Sequence, residues 1–397
     1  MESLPKEIVY IILDNCDFLS KIRFSSINKW FNKVEICDLL NISKRFIRAL
    51  TDEILQQPKY KNLKKLTTNP NISQKSIQFL NLIELKASHH KNLSDVTFMK
   101  NLKCLDVSYN CRIDQNFIEG LDLVELKVVH NPNITNVSFM RHLKYLDTSG
   151  NCGIDQKGIQ GLNLIKLSVH NNNKIKNVSF MKNLKILDAS GNCGIDQNGI
   201  LGLDLIELNV WDNEKINNVS FMKNLTCLDA CYNCGIDQNG IQGLDLIKLY
   251  VYSNNKINNV SFMKNLKCLD ASGVHCGIDQ NGILELDLIK LNICHNDKIR
   301  NVTYMKNLKY LGASWSCGVD QVGIQGLNLV KLNAMYNEKI NNVSFMNNLK
   351  KLGATGNCGI DQKGVQGLDL IEFDFEYNKN ITDVSFMKNL KKTICKW

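Results

Sequence analysis

Residues 203–243 read LDLIELNVWDNEKINNVSFMKNLTCLDACYNCGIDQNGIQG, and this stretch decides the fold because the chain keeps repeating it. The unit restarts at Leu80, Leu121, Leu162, Leu203, Leu244, Leu286 and Leu327, with a partial copy from Leu368 and a half-copy at 62–79. Leu203 to Leu244 is 41 residues, and the copy at 244–285 carries one extra residue near Gly273-Val274-His275. Self-similarity at a fixed period marks a solenoid, which grows along one axis and escapes the size limit of a single compact core.

Each unit splits into two similar halves. The first holds Leu205-x-x-Leu208-x-Val210-x-x-Asn213-x-x-Ile216, the second Leu225-x-x-Leu228-x-Ala230-x-x-Asn233-x-x-Ile236. Both match the leucine-rich-repeat pattern L-x-x-L-x-L-x-x-N. The fold class is therefore an α/β solenoid of about sixteen coils, with a concave parallel sheet roughly 75 Å long at strand spacing. Alternation along each strand turns Leu208 and Val210 inward and Glu207, Asn209 and Trp211 outward. The turn asparagines (Asn131, Asn151, Asn172, Asn192, Asn213, Asn233, Asn254, Asn357) are expected to bond buried backbone of adjacent coils. The aromatic of each V-S-F-M segment (Phe139, Phe180, Phe221, Phe262, Tyr304, Phe345, Phe386) is expected to stack inside the convex side.

Seven of the fifteen cysteines share one repeat position: Cys111, Cys152, Cys193, Cys234, Cys276, Cys317 and Cys358. On every second coil they would lie about 10 Å apart, whereas a disulfide needs Cα atoms within roughly 7 Å. Buried thiols in a reducing compartment follow, hence the cytoplasm or nucleus. The N-terminus opens with acidic Glu2 and a short apolar run, and reads as neither a secretory signal nor a membrane span.

Residues 1–40 leave the repeat. Leu4-Pro5, Glu7-Ile8, Ile11-Ile12-Leu13, Leu19, Ile22, Ile27 and Trp30 have helical apolar spacing after a proline-marked start. This segment resembles an F-box, and F-box followed by leucine-rich repeats is a known order. It departs from the family at Cys16 and Phe18, and Trp30 sits one place early. The resemblance implies a small helical domain that docks on the small adaptor subunit of a cullin–RING (SCF-type) ubiquitin ligase, with Leu4, Pro5, Ile8, Ile12, Leu13 and Leu19 at the matching positions. A helical linker or N-cap is expected over 41–60, with Pro58 at its end, and the solenoid over 61–397. The composition and near-identical repeats also resemble F-box/repeat proteins encoded by giant DNA viruses of amoebae, which implies a host cytoplasm or nucleus.

A catalytic site should leave a constellation that breaks the repeat, and none stands out. Cys231-Tyr232-Asn233-Cys234 lacks a second pair or nearby histidines for a metal site, so no metal, cofactor or catalytic residue is assigned. Outward positions are more informative, because the scaffold does not dictate them. Trp211, Tyr232, Tyr250, Tyr252, Tyr310, Trp315 and Tyr336 vary between copies and form a candidate target-binding face. A solvated aspartate row, Asp106, Asp147, Asp188, Asp229 and Asp270, gives way to Gly312 and Gly353 on the same face. Net charge is +9, but the lysines are spread along K-N-L-K segments, so nucleic acid is disfavoured. The leading expectation is a non-enzymatic substrate adaptor binding a protein on its concave face. The alternative is a protein-binding scaffold with no ubiquitin link, its N-terminal helices serving only as a cap.

Overall fold

The computed structural model describes residues 36–40, 42–109 and 111–391. The chain divides into two compact units, 1–175 and 176–397. The first holds strands β1 (Asp38–Leu39) to β7 (Lys166–Ser168), the second β8 (Ile186–Asp188) to β17 (Glu372–Asp374). Within each, successive strands pair in parallel and in register, leucine against leucine: Leu126 on Leu146 in the first, Leu208 on Leu228 in the second. The expected leucine-rich-repeat solenoid is there. No helix among the described residues is long and apolar enough to cross a membrane.

Two short helices, α1 (Lys44–Ala49) and α2 (Asp52–Leu55), precede the first full coil, where one amphipathic segment was expected. Pro58 opens a 3-10 turn, Pro58–Tyr60, where its missing N–H is harmless. Leu50, Leu55 and Tyr60 are buried beneath this cap. Asn69 donates from Nδ2 to the carbonyls of Ile47 and Leu50 (2.9 Å to the latter), and the Asp52 carboxylate accepts from Ser73 N–H at 2.8 Å. Residues 38–39 of the segment set apart as F-box-like already form β1, paired with Lys65 and Leu66. The six adaptor-binding candidates from Leu4 to Leu19 lie outside the described residues.

Two expectations about the core need correction. The asparagine ladder runs through the first halves of the units from Asn131 onward and is absent from their second halves. Asn213 is buried, donating to the carbonyls of Ala189 at 2.7 Å and Ile195 at 3.4 Å, and Asn172 repeats this on Thr148 at 2.9 Å. Asn151, Asn192, Asn233 and Asn357 are exposed instead. Both halves pass through a left-handed residue, Asp212 (φ 56) or Tyr232 (φ 57). The first half turns inward at the next residue, Asn213; the second turns inward one residue later, at Cys234. A thiol therefore fills the ladder position there and Asn233 is rotated out.

The V-S-F-M aromatic is not interior either. Phe139 and Phe180 are 38% and 41% exposed, while Val137, Met140, Val178 and Met181 are buried. Valine and methionine three apart share the inward side of a tight turn, and the aromatic between them lies over the outside. Tyr304 accordingly donates its hydroxyl to the Ile283 carbonyl at 3.0 Å. The D-Q pair of each second half closes the back of the coil: the Asp237 carboxylate accepts from Gly240 N–H, and Gln238 bridges the backbone of Asn258 and Asn259 at 2.9–3.1 Å.

Candidate protein-binding face

One residue in each coil, just past the strand, takes a left-handed backbone. In the second unit the column runs Gly191, Asp212, Tyr232, Ser253, Gly273, His295, Trp315, Tyr336, Gly356 and Tyr377. Glycine adopts this conformation freely, and other residues at about 1–2 kcal/mol. A bulky ring at such a position is therefore disfavoured by the backbone, yet aromatics occupy it repeatedly and pack coil upon coil.

The seven candidates separate into three places on the second unit. Trp211, Tyr232 and Tyr252 form one edge-on stack, with ring centroids 5.4 and 4.9 Å apart. A second stack is face to face: His295 on Trp315 at 5.3 Å, and Trp315 on Tyr336 at 4.2 Å, both at 16° between planes. Trp315 is 47% exposed and Tyr232 42%. Tyr336 leans over Gly356, where a Cβ would strike its ring, so the stack ends on a glycine that makes room for it. The hydrogen bond between Tyr232 and Tyr252 raises the Tyr232 phenol above its ordinary range. Tyr250 and Tyr310 stand on strands β11 (Lys248–Tyr250) and β14 (Tyr310–Gly312), where they line a groove. Burial pushes the Tyr250 phenol up to about 12.

Sequence reasoning missed His295, and missed a third stack in the first unit. There His89, Tyr109 and His130 pack at 4.7 and 5.6 Å. All three occupy the left-handed column (φ 62, 59 and 53), and aligning that one offset across copies would have found them.

The aspartate row is a set of caps and not a solvated stripe. Asp147 accepts from both N–H (3.1 Å) and Oγ (2.6 Å) of Ser149, Asp188 from Ser190 N–H at 3.1 Å, and Asp270 from Ser272 N–H at 3.0 Å. Each carboxylate ends its strand by bonding the chain two residues on. Asn292 and Asn333 do the same with the N–H of Cys294 and Met335, at 3.3 and 3.2 Å. At Gly312 the row has no side chain, because a Cβ would strike Asn292 Oδ1. The resulting groove, about 680 Å³, has Leu291, Leu311 and Gly312 as its floor, with Lys290, Lys331 and Lys351 along one side.

The Cys231–Cys234 pair is free and buried, and burial raises both thiols, Cys234 to about 12. Burial disfavours the thiolate, the form in which a cysteine is nucleophilic. Among the described residues no cluster of three or more His, Cys, Asp or Glu could hold a metal ion.

The sequence matches no family model, and no curated protein matches it. In fold it is similar to several solved structures. Rad7, from the Rad7–Elc1 complex in yeast, is 17% identical, with 87% of this chain and 94% of that one covered and a TM-score of 0.42. A leucine-rich-repeat protein of Leptospira interrogans, LIC12759, is 16% identical over 95% of this chain and 98% of that one, with a TM-score of 0.34. A chain of the TLR13–ssRNA13 complex is 16% identical, covering 84% and 74%, with a TM-score of 0.43.

Proposed function

We propose that this chain is a non-catalytic recognition solenoid that captures a protein on the strand face and adjoining aromatic column of 209–336, and delivers it to a cullin–RING ubiquitin ligase through residues 1–40. The capture half rests on one observation: bulky rings occupy a backbone position that disfavours them, stacked and exposed, where glycine serves in other coils. Exposed aromatics with a polar surround are the composition of binding hot spots.

The ligase half rests on the F-box resemblance of Leu4, Pro5, Ile8, Ile12, Leu13 and Leu19, together with one feature of the fold. In the scaffold alternative, residues 1–40 serve only to cap the first coil. Residues 42–60 already reach that coil: the Leu50 carbonyl accepts from Asn69 Nδ2 and the Asp52 carboxylate from Ser73 N–H, and Leu50, Leu55 and Tyr60 are buried. A capping element thus stands outside residues 1–40, which supports another use for the N-terminal segment.

The test is affinity capture with the full chain and with a Leu4→Ala/Pro5→Ala variant, both shown to melt alike. Recovery of a cullin and its small adaptor by the first alone supports the adaptor reading. Recovery by neither removes the ligase half and leaves the scaffold. A Trp315→Ala/Tyr336→Ala variant tests capture separately: it should keep the adaptor and lose the remaining bound protein.

A further inference from the structure

We propose that the groove at Gly312 is an anchor pocket that takes one aromatic side chain of the captured protein. This rests on the protein-capture reading and names the part of the partner that the groove would hold. The strands beneath it, from β11 by way of β13 (Lys290–Asn292) to β15 (Lys331–Asn333), end in turn on Tyr250, Asp270, Asn292, Gly312 and Asn333. Along this run only Gly312 offers no side chain, and the opening it leaves belongs to the cavity of about 680 Å³. Sites that enclose small organic groups run from about 300 to 1,000 Å³.

The chemistry of the lining selects the guest. Asn292 donates from Nδ2 to Asp270 Oδ2 at 3.0 Å and to Ser272 Oγ at 3.2 Å, and its Oδ1 accepts from Cys294 N–H at 3.3 Å. Asp270 also accepts from Ser272 N–H at 3.0 Å. These two polar side chains are satisfied within the chain, so neither needs a polar guest. The apolar share of the lining comes from Tyr250, Leu269, Leu291, Tyr310, Leu311 and Val330. Lysines along one side contribute aliphatic stems while their ammoniums stay in water. Tyr310 is 41% exposed, which leaves its ring open to a partner. A ring is the apolar guest best matched to such a wall, because aromatic pairs attract beyond the area they bury.

The groove is also continuous with the second aromatic stack. Asn292, Gly312 and Asn333 each stand three residues before one of its rings, His295, Trp315 and Tyr336. Three extended residues span about 10 Å, so one partner surface laid on the stack also covers the groove. Exposed rings beside a recess that a side chain can enter have the layout of a protein hot spot, an anchor in a pocket ringed by contacts that exclude water. This favours a protein side chain over a free nucleotide as the source of the ring.

The experiment titrates the full chain with short glycine-serine peptides carrying a central tryptophan, leucine or arginine, followed by saturation-transfer NMR. The tryptophan peptide should bind about two- to tenfold more tightly than the leucine peptide. Gly312→Asp restores the residue that Asp147, Asp188 and Asp270 supply ahead of a serine, here Ser314, and its Cβ displaces only the end of the Asn292 side chain. By putting a carboxylate into the recess it should weaken the tryptophan peptide about tenfold or more. Tyr310→Ala, which removes one wall at an exposed position, should weaken it about threefold or more and decides the matter if Gly312→Asp fails to fold. Leucine or arginine binding as tightly as tryptophan, affinity indifferent to both substitutions, or no binding overturns the proposal. So does displacement of the peptide by adenosine monophosphate at lower concentration than the peptide itself requires. If capture of the partner depends on Trp315 and Tyr336 but not on Gly312 and Tyr310, the pocket fails and the function stands. If the unaltered chain captures no protein, the capture reading falls and takes the pocket's role with it.

Discussion

Asn213 and Asn233 occupy the same offset of the repeat pattern in the two halves of one unit, and alanine at each should have very different consequences. Asn213 is 2% exposed. Its Nδ2 donates to Ala189 O at 2.7 Å and Ile195 O at 3.4 Å, and its Oδ1 accepts from Lys215 N–H at 2.9 Å. Alanine leaves two carbonyls and one N–H without this partner in the core. The Cys193 thiol, 3.1 Å from Ala189 O, compensates in part. At about 1–3 kcal/mol per buried group left unsatisfied, with that partial rescue, the loss should be about 2–4 kcal/mol. Asn233 is exposed, and its replacement should stay within about 0.5 kcal/mol. The assay is urea unfolding followed by far-ultraviolet dichroism, with amide exchange at 189–195 to locate the opening. Coils couple mainly to their neighbours, so faster exchange should centre on the coils flanking Asn213. Equal losses for the two variants would refute the division of the ladder between asparagine and cysteine.

Three further outcomes follow from the backbone and the thiols. Glu285 holds φ 63 where the equivalent residues Gly243 and Gly326 hold 72 and 74; its exposed pair with Lys264 offsets little of a left-handed penalty of about 1–2 kcal/mol. Glu285→Gly should therefore stabilise by about 1 kcal/mol, read as a raised melting temperature, and a lowered one would contradict the assignment. Gly356→Ala places a methyl against the Tyr336 ring; it should disrupt the stack on Trp315 and change the tryptophan emission, and an unaltered spectrum would show that the stack does not lean on that glycine. Burial raises the thiols of Cys152, Cys193, Cys276 and Cys358 to about 11 and those of Cys234 and Cys317 to about 12. Raised values in the folded state mean stability that is whole below the ordinary thiol value of 9.0 and lost as pH climbs towards 11–12. Replacing these cysteines with alanine should flatten that loss, and an unchanged slope would exclude the ladder as its source.

The period, the parallel strands and the inward leucines were legible in the sequence because burial of every coil imposes the same apolar offsets. What failed was the assumption that equal offsets mean equal geometry. The residue before the ladder cysteine is Asn151, Asn192 or Asn233 in some copies, but His275 and Ser316 in others. The first-half position is Asn131, Asn172, Asn213, Asn254, Asn296, Asn337 and Asn378 without interruption from the second copy on. Variation at one and constancy at the other already distinguish a surface residue from a buried one. Likewise Tyr304 in place of phenylalanine signalled that the aromatic of V-S-F-M touches polar groups.

The site was legible only by residue type, because what organises it is backbone conformation and the absence of side chains. Aromatic composition selected seven residues, but their offsets mix four registers: Tyr310 opens its strand, Tyr250 ends its own, Trp211 and Tyr252 stand one residue before the left-handed column, and Tyr232, Trp315 and Tyr336 stand in it. The groove depends still less on what is present. Where Asp229 and Asp270 cap their strands, a carboxylate stands on the face and is satisfied by the next turn. Replacing that aspartate by Gly312 removes the charge and the volume together. The loss of a cap thus becomes the gain of a recess, and the sequence shows it only as a repeat position where aspartate stops.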